Sequence, residues 1–434
     1  MKIRTRATAR LLACLAAGTA IALPRPAAAQ EVTLEEAIEM ALIRSPSMAQ
    51  QQQAVDNAYL TRKTAWGAFL PSLNVNGGGS LRSANVLNDA TGEIVSGSSD
   101  SYSAGVSGSW TVFEGTRRFK EYDAAKSDVR AAEARYANQR YQVTLQTQTF
   151  FFNALRAEDL LEVAREAVAQ AEQNMEIVRR RTQLGEATIS DSLRARLDVV
   201  NAQQTVLQQE TQLRAARYSL GRQIGERGPV APRRPEDLDP SDLVLGEQEI
   251  IELAESVSPS VIAASEATEA AGISVSAAKT VYIPSLRFSS GYNWNNREPS
   301  LTGGNTSWSM SLSLSYPIFN GFQRETSIDR AQYFQRVTRL QEDDARLAAR
   351  EQADAALQNL RFAEQAILIA EDARFVAAED LRVVRERYGV GAATILDILV
   401  SQNALTQAEA DVVTSRYDYI LARAELEAIL GREL

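Results

Sequence analysis

The sequence predicts a mixed α/β membrane protein built from two tandem repeats, each pairing a β-hairpin with very long coiled-coil helices. Three observations predict it. First, the chain is duplicated: Ser45–Pro46 recurs as Ser258–Pro259 and LPSL (70–73) as IPSL (283–286), each displaced by 213 residues. WTVFEG (110–115) then recurs as YPIFNG (316–321), and GEATISD (185–191) as GAATILD (391–397), displaced by 206. A repeat of roughly 200 residues follows. Second, 307–316 reads SWSMSLSLSY, serine at every odd position and a large apolar residue at every even one, the period of a strand with one greasy and one hydroxylated face. Third, no proline interrupts 116–183 or 322–388.

The chain opens on Lys2, Arg4, Arg6 and Arg10, the apolar run Leu11–Leu23, and Ala27–Ala29 before Gln30. This is a secretory signal peptide, 1–29. Cys14 is the only cysteine, and no apolar stretch precedes it as a lipoprotein site requires. The mature chain is then expected to carry neither cysteine nor lipid anchor. Of 46 basic and 55 acidic residues, five basic ones lie in the leader, leaving a net charge of −14. Such an acidic exported chain is a poor nucleic-acid partner. Histidine is absent throughout, which removes the usual zinc ligand and general base. We expect no cofactor, no metal and no enzyme.

The first repeat spans 30–225: helix 32–69, strands 72–82 and 102–113, long helices 116–183 and 190–224. A proline-rich linker, 226–246, separates it from the second repeat, 247–434. There the order recurs as helix 247–281, strands 285–296 and 306–316, and long helices 322–388 and 394–430. Pro46 and Pro259 suit first-turn positions after a serine cap. The displacement changes by seven residues between Leu73 and Trp110, so the extra length belongs to a loop of the first hairpin.

Along the strands the apolar face carries Tyr102, Trp110, Trp294, Trp308 and Tyr316. Tyr102 and Trp110 match Trp308 and Tyr316 under the displacement of 206. Eight residues separate each pair, roughly 26 Å along a strand. That is about the height of the lipid-facing band of an outer-membrane barrel, with an aromatic girdle at each rim. Four strands cannot close, and an open edge in lipid leaves backbone groups unpaired at several kcal/mol each. Closure has to come from further copies of the chain.

Past each hairpin the period changes. Stepping alternately four and three residues from Val143 to Val178 meets ten apolar residues in eleven positions, and the same register from Ala349 to Val384 again meets ten. Seams this long make helices on the order of 100 Å.

A signal peptide before two tandem repeats, PSL at each hairpin entry, FEG or FNG at each exit, and Tyr388–Gly391 with Thr394–Asp397 at a helix turn together resemble the TolC family. The resemblance covers essentially the whole mature chain. It implies a homotrimer in the outer membrane, whose twelve-stranded barrel continues into a periplasmic barrel of coiled-coil helices. It also implies a periplasmic adaptor (membrane fusion protein) and an inner-membrane transporter, ABC or RND, as partners. The turns at 179–191 and 385–397 would close the duct. Asp191 and Asp397 are then the pore-constricting carboxylates, Tyr388 a gating residue, and Leu184, Gly185, Val390 and Gly391 the adaptor-docking tips. Two departures stand out: Val400 replaces a second acidic ring and Ala393 the arginine that would tie the helices shut. The tie would pass instead to Arg179, Arg180, Arg181, Arg385 or Arg387. The residues also admit simpler roles. Both Thr–x–x–Asp patterns fit capping boxes, Tyr388 a seam position, and the glycines helix ends.

The expected function is therefore a passive exit duct for secreted proteins or drugs. A non-conducting coiled-coil scaffold of the outer membrane or periplasm is the alternative.

Overall fold

The computed structural model describes residues 30–87, 92, 94–235, 245–300 and 302–432; the leader and the linker segment 236–244 lie outside them. Helix α1 (Leu34–Arg44) is opened by Thr33 and Glu36, each satisfying the other's backbone amide. It stops at Ser45, held extended by the proline that follows. Pro46 begins α2 (Pro46–Gly67). Ser45 sits at the cap position, but its hydroxyl pairs with Ser47 Oγ at 2.8 Å instead of capping the backbone. The second repeat copies this break between α5 (Glu247–Val257) and α6 (Pro259–Lys279), with Ser258 bonded to Ser260 at 2.9 Å. The runs 32–69 and 247–281 are thus each two helices.

Four strands form one antiparallel sheet in the order β2 (Ser72–Leu87), β3 (Ile94–Phe113), β5 (Ser285–Asn296), β6 (Asn305–Ser315). Register puts Val75, Val106, Tyr292 and Trp308 in one row on one face. The next row, Asn74, Ser107, Gly291 and Ser309, faces the other way. The serine face is hydrogen-bonded to itself, Ser72 to Ser109 at 2.9 Å and Ser289 to Ser311 at 2.7 Å. β2 and β6 are free at the two edges. The first hairpin is longer than the alternation indicates: β2 runs to Leu87 instead of 82, and β3 starts at Ile94 instead of 102. Past Leu81 the pairs run Arg82–Ser99, Ser83–Ser98, Ala84–Gly97 and Asn85–Ser96 before the aliphatic pairs Val86–Val95 and Leu87–Ile94, so backbone bonding continues where the sequence shows no alternation to read.

Below the sheet run α3 (Arg117–Gln183) and α7 (Gln323–Gly389), 67 residues each and on the order of 100 Å long. They turn back as α4 (Ile189–Gln223) and α8 (Ile395–Leu430). α3 packs on α4, α7 on α8, and α3 also on α8, so the two hairpins make a sheet of helices ordered α4–α3–α8–α7. Nearer the strands, α2 and α6 flank α3, and α6 also meets α7. Nine of the eleven seam positions from Ala349 to Val384 are buried, which fixes the face that α7 gives to α8.

Midway, a belt braces the helices. β1 (Gln30–Val32) pairs in parallel with β4 (Val230–Pro232), three residues each, inside what reads as a linker. Val32 and Val230 join Phe151, Leu155 and Leu220 in a common core. Arg234 reaches Asp159, which also accepts from the Tyr417 hydroxyl at 2.8 Å. No described helix is long and apolar enough to cross a membrane.

Candidate functional site: the paired helix tips

Both helical turns are built alike. Arg180 and Thr182 carbonyls cap the end of α3, and Gly185, at φ +79°, lets Glu186 N–H return to the Arg181 carbonyl at 2.8 Å. At the end of α7, Gly391 at φ +78° lets Ala392 N–H return to Arg387 at 2.7 Å. Only a residue free of a Cβ adopts this conformation without strain. Leu184 and Val390 then project into solvent.

The next helices start with reciprocal capping boxes. Asp191 Oδ2 accepts from Thr188 N at 3.0 Å and Thr188 Oγ1 at 2.8 Å; Thr188 Oγ1 accepts from Asp191 N at 3.2 Å. Asp397 Oδ2 accepts from Thr394 N at 2.7 Å and from its hydroxyl at 2.9 Å. These bonds hold both carboxyls below the ordinary carboxylate range, the Thr188 hydroxyl dominating at Asp191 and the Thr394 amide at Asp397. Both aspartates therefore serve as caps and still present charge at the two tips.

One arginine ties the repeats together here. The Arg181 guanidinium lies 4.5 Å over the Tyr388 ring and donates to the Tyr388 carbonyl at 2.5 Å. It also approaches Glu186 at 3.5 Å. Tyr388 is 8% exposed and packs with Val178, Leu381, Val384 and Ile395. Burial pushes its phenol up, with Arg181 opposing. Of the five arginines named for that tie, Arg181 reaches the tip of the other repeat. Arg179 and Arg180 pair with Glu176 of their own helix, and Arg387 donates to the Ala392 carbonyl of its own turn at 3.2 Å.

Three helical turns above the tip lies a polar layer inside the apolar seam. Asn174 of α3 donates to Gln402 of α8, both 4% exposed, and Ser401 donates to Asp380 of α7 at 2.5 Å. Adjacent residues of α8 thus hold the helix on each side of it.

The outermost helices keep uncovered apolar rows. On α7, Phe362, Ile369, Val376 and Val383 recur every seven residues and are exposed; on α4, Leu193, Leu197, Val200 and Leu207 are exposed. Sequence reasoning followed one seam per helix and passed over this second one, though its seven-residue spacing was there to read. Among the described residues no acidic, histidine or cysteine cluster is set to hold a metal.

Comparison with known proteins fits this geometry. A model of the family described as outer membrane efflux protein matches residues 37–226 and 250–432. The chain belongs to the outer membrane efflux protein family. Its two matched segments coincide with the two repeats. It is 26% identical over 403 residues to the outer membrane protein TolC of Vibrio cholerae, covering 89% of this chain and 86% of the relative. It is likewise 26% identical over 424 residues to protein CyaE of Bordetella pertussis, covering 94% and 85%. Among solved structures, the open-state MtrE outer membrane channel of Neisseria gonorrhoeae matches with a TM-score of 0.76 at 21% identity, over 92% of this chain and 89% of that one.

Membership in this efflux protein family places the protein in the outer membrane. On its sheet the structure sets Tyr102 and Trp294 toward the hairpin turns, with Trp308 one row further in. Trp110 sits at the helix end, its indole donating to the Phe69 carbonyl at 3.1 Å, and Tyr316 follows the last residue of β6. Tyr102 and Trp294 of the efflux protein thus lie toward one end of the apolar face and Trp110 and Tyr316 toward the other, while Trp308 sits level with Val106, midway between Tyr102 and Trp110.

Proposed function

We propose that the protein is the outer-membrane exit duct of a tripartite export system and works as a homotrimer. The observation that carries this is the incompleteness of one chain. Its sheet is apolar on one face, hydroxylated on the other and open at both edges, and its helical layer ends in uncovered seams on α4 and α7. Three copies joined edge to edge give twelve strands and twelve helices around one axis, with serine and asparagine facing water and Trp308, Leu312 and Leu314 facing lipid. Tyr102 and Trp294 at one end of the apolar face and Trp110 and Tyr316 at the other then mark the two membrane interfaces, with Trp308 facing the lipid between them.

In this reading the hairpins extend into the periplasm. Asp191 and Asp397 ring the narrow end and favour cations. Arg181 on Tyr388 holds the two repeats together when the duct is shut. Leu184, Gly185, Val390 and Gly391 are the tip surface offered to a periplasmic adaptor, itself bound to an inner-membrane ABC or RND transporter. Passage is passive and needs no chemistry from the duct.

The test is conductance of the purified, assembled protein in planar bilayers. A small, cation-selective conductance that Asp397→Ala makes less selective is expected. Silence from correctly inserted oligomers, for both the wild type and Arg181→Met, would favour the scaffold.

A further inference from the structure

The two repeats differ where the sheet passes into the helices, and the difference leaves a buried arginine without a counter-charge. In the first repeat Arg118 donates to the Val112 carbonyl at 3.1 Å, lies 5.4 Å over the Phe69 ring, and its Nε meets the Glu114 carboxylate at 3.0 Å. The second repeat reproduces the frame 206 residues on. Arg324 donates to the carbonyls of Pro317 at 2.9 Å and Ile318 at 3.0 Å, and lies 4.9 Å over the Tyr282 ring. Where Glu114 stood there is Asn320. Arg324 Nε and Asn320 Oδ1 are both buried without a hydrogen-bond partner. Arg324 is 8% exposed, and among the described residues it makes no ion pair. The neighbouring Glu325 carboxylate is turned to the Tyr282 hydroxyl at 3.2 Å.

A buried guanidinium without a counter-charge is costly, so the site calls for an anion. Two features say where that anion comes from. Arg324 lies in the first turn of α7, whose cap residue Phe322 offers no side-chain acceptor to the free amides. Oriented amides and a cation together favour an oxyanion. Phe322 is also the one described non-glycine residue with a positive φ, at 65°, a strained conformation for a residue with a side chain. That backbone sets its ring 5.4 Å from Phe319. Ile318, Phe319 and Phe322 are 86%, 71% and 67% exposed, directly below Leu312, Leu314 and Tyr316 on the apolar face. The first repeat has Thr116 in place of Phe322.

We propose that the second-repeat junction is a phospholipid site. The phosphate of a lipid in the periplasmic leaflet pairs with Arg324 in the role that Glu114 fills for Arg118, while Phe319 and Phe322 pack beside its acyl chains. The site rests on the membrane placement of the sheet and not on conduction. An oligomer that conducts but shows no lipid preference would sink this proposal alone.

The test is native mass spectrometry of the assembled full-length protein in detergent, titrated with phosphatidylglycerol or with diacylglycerol, which lacks the phosphate. The wild type is expected to retain phosphatidylglycerol at least tenfold more tightly than diacylglycerol. Asn320→Glu supplies the internal carboxylate, so it should abolish that preference while its thermal midpoint holds or rises. Arg324→Gln should abolish it too, but this variant also loses the carbonyl clamp, and Asn320→Glu is therefore the deciding one. Equal retention by Asn320→Glu and wild type would overturn the proposal. So would a wild type with no preference, as expected if a carboxylate of a neighbouring copy fills the site. Displacement of the lipid by millimolar inorganic phosphate would assign the site to a free anion instead, and overturns the lipid reading.

Discussion

Arg181→Met removes the guanidinium that joins the repeats and keeps an apolar side chain of similar length. Three interactions are lost. The charged donor to the buried Tyr388 carbonyl contributes about 1.5–3 kcal/mol. The stacking on the Tyr388 ring adds about 0.5–1 kcal/mol. The ion pair with Glu186, whose side chain is 58% exposed, is screened and adds a few tenths at most, about 0.3 kcal/mol. Methionine recovers part of the packing, so the net loss is about 2 kcal/mol for each copy. Because these contacts join α3 to the end of α7, the loss falls on the arrangement in which the two hairpins lie together. A difference of about 2 kcal/mol is an increase of about 30-fold in the ratio of parted to closed tips per copy. The assay is single-channel open probability at neutral pH, read beside the thermal midpoint. The midpoint should move by no more than a few degrees, since the bulk of both seams is untouched. An open ratio within twofold of wild type, in protein of unchanged midpoint, would refute the idea that this contact holds the tips.

Three further outcomes are expected. Ile369→Glu with Val376→Glu puts two charges on the uncovered row of α7; light scattering should find monomers or aggregates in place of trimers, with helix content by circular dichroism retained. Asn174→Leu or Gln402→Leu alone strands a buried polar partner at about 1–3 kcal/mol. The double variant makes the layer apolar and should recover most of that loss in the denaturation midpoint; additive losses would mean the two side chains do not act as a pair. The capping aspartates set a pH limit. Asp191 and Asp397 titrate below the ordinary carboxylate range, so their contribution is complete above about pH 4, where the unfolded carboxyls are already ionised. It is lost as pH falls through the depressed folded values. Hydrogen exchange at residues 188–194 and 394–400 should be flat between pH 7 and 5, once corrected for intrinsic rates, and accelerate only below about 4.

What could be read from the sequence was what repeats locally. The serine face of β6, the seam from Ala349 to Val384 and the two Thr–x–x–Asp boxes depend on residues a few positions apart, and their side chains sit where period and capping rules put them. Contacts between distant segments left no such mark. Nothing around Arg181 says that its partner is Tyr388, 207 residues on, and not one of the arginines beside it. β1 and β4 are too short to show a period, and they exist because Arg233 N–H and its neighbours find partners along 30–32. The asparagine at 320 reads only as a variant of FEG, because the arginine frame that both junctions share is built from residues of separate elements.

The seven residues by which the repeats fall out of step have a consequence at the other end of the molecule. The longest helices of the two repeats are equal in length, 67 residues each for α3 and α7, so the shaft of the proposed trimer is close to sixfold. The hairpins are not equal: β2 and β3 run 16 and 20 residues, β5 and β6 only 12 and 11. In the proposed trimer, tall and short hairpins alternate around the mouth. Its rim would be crenellated, so that an object arriving from outside the cell meets three posts before it meets the opening between them.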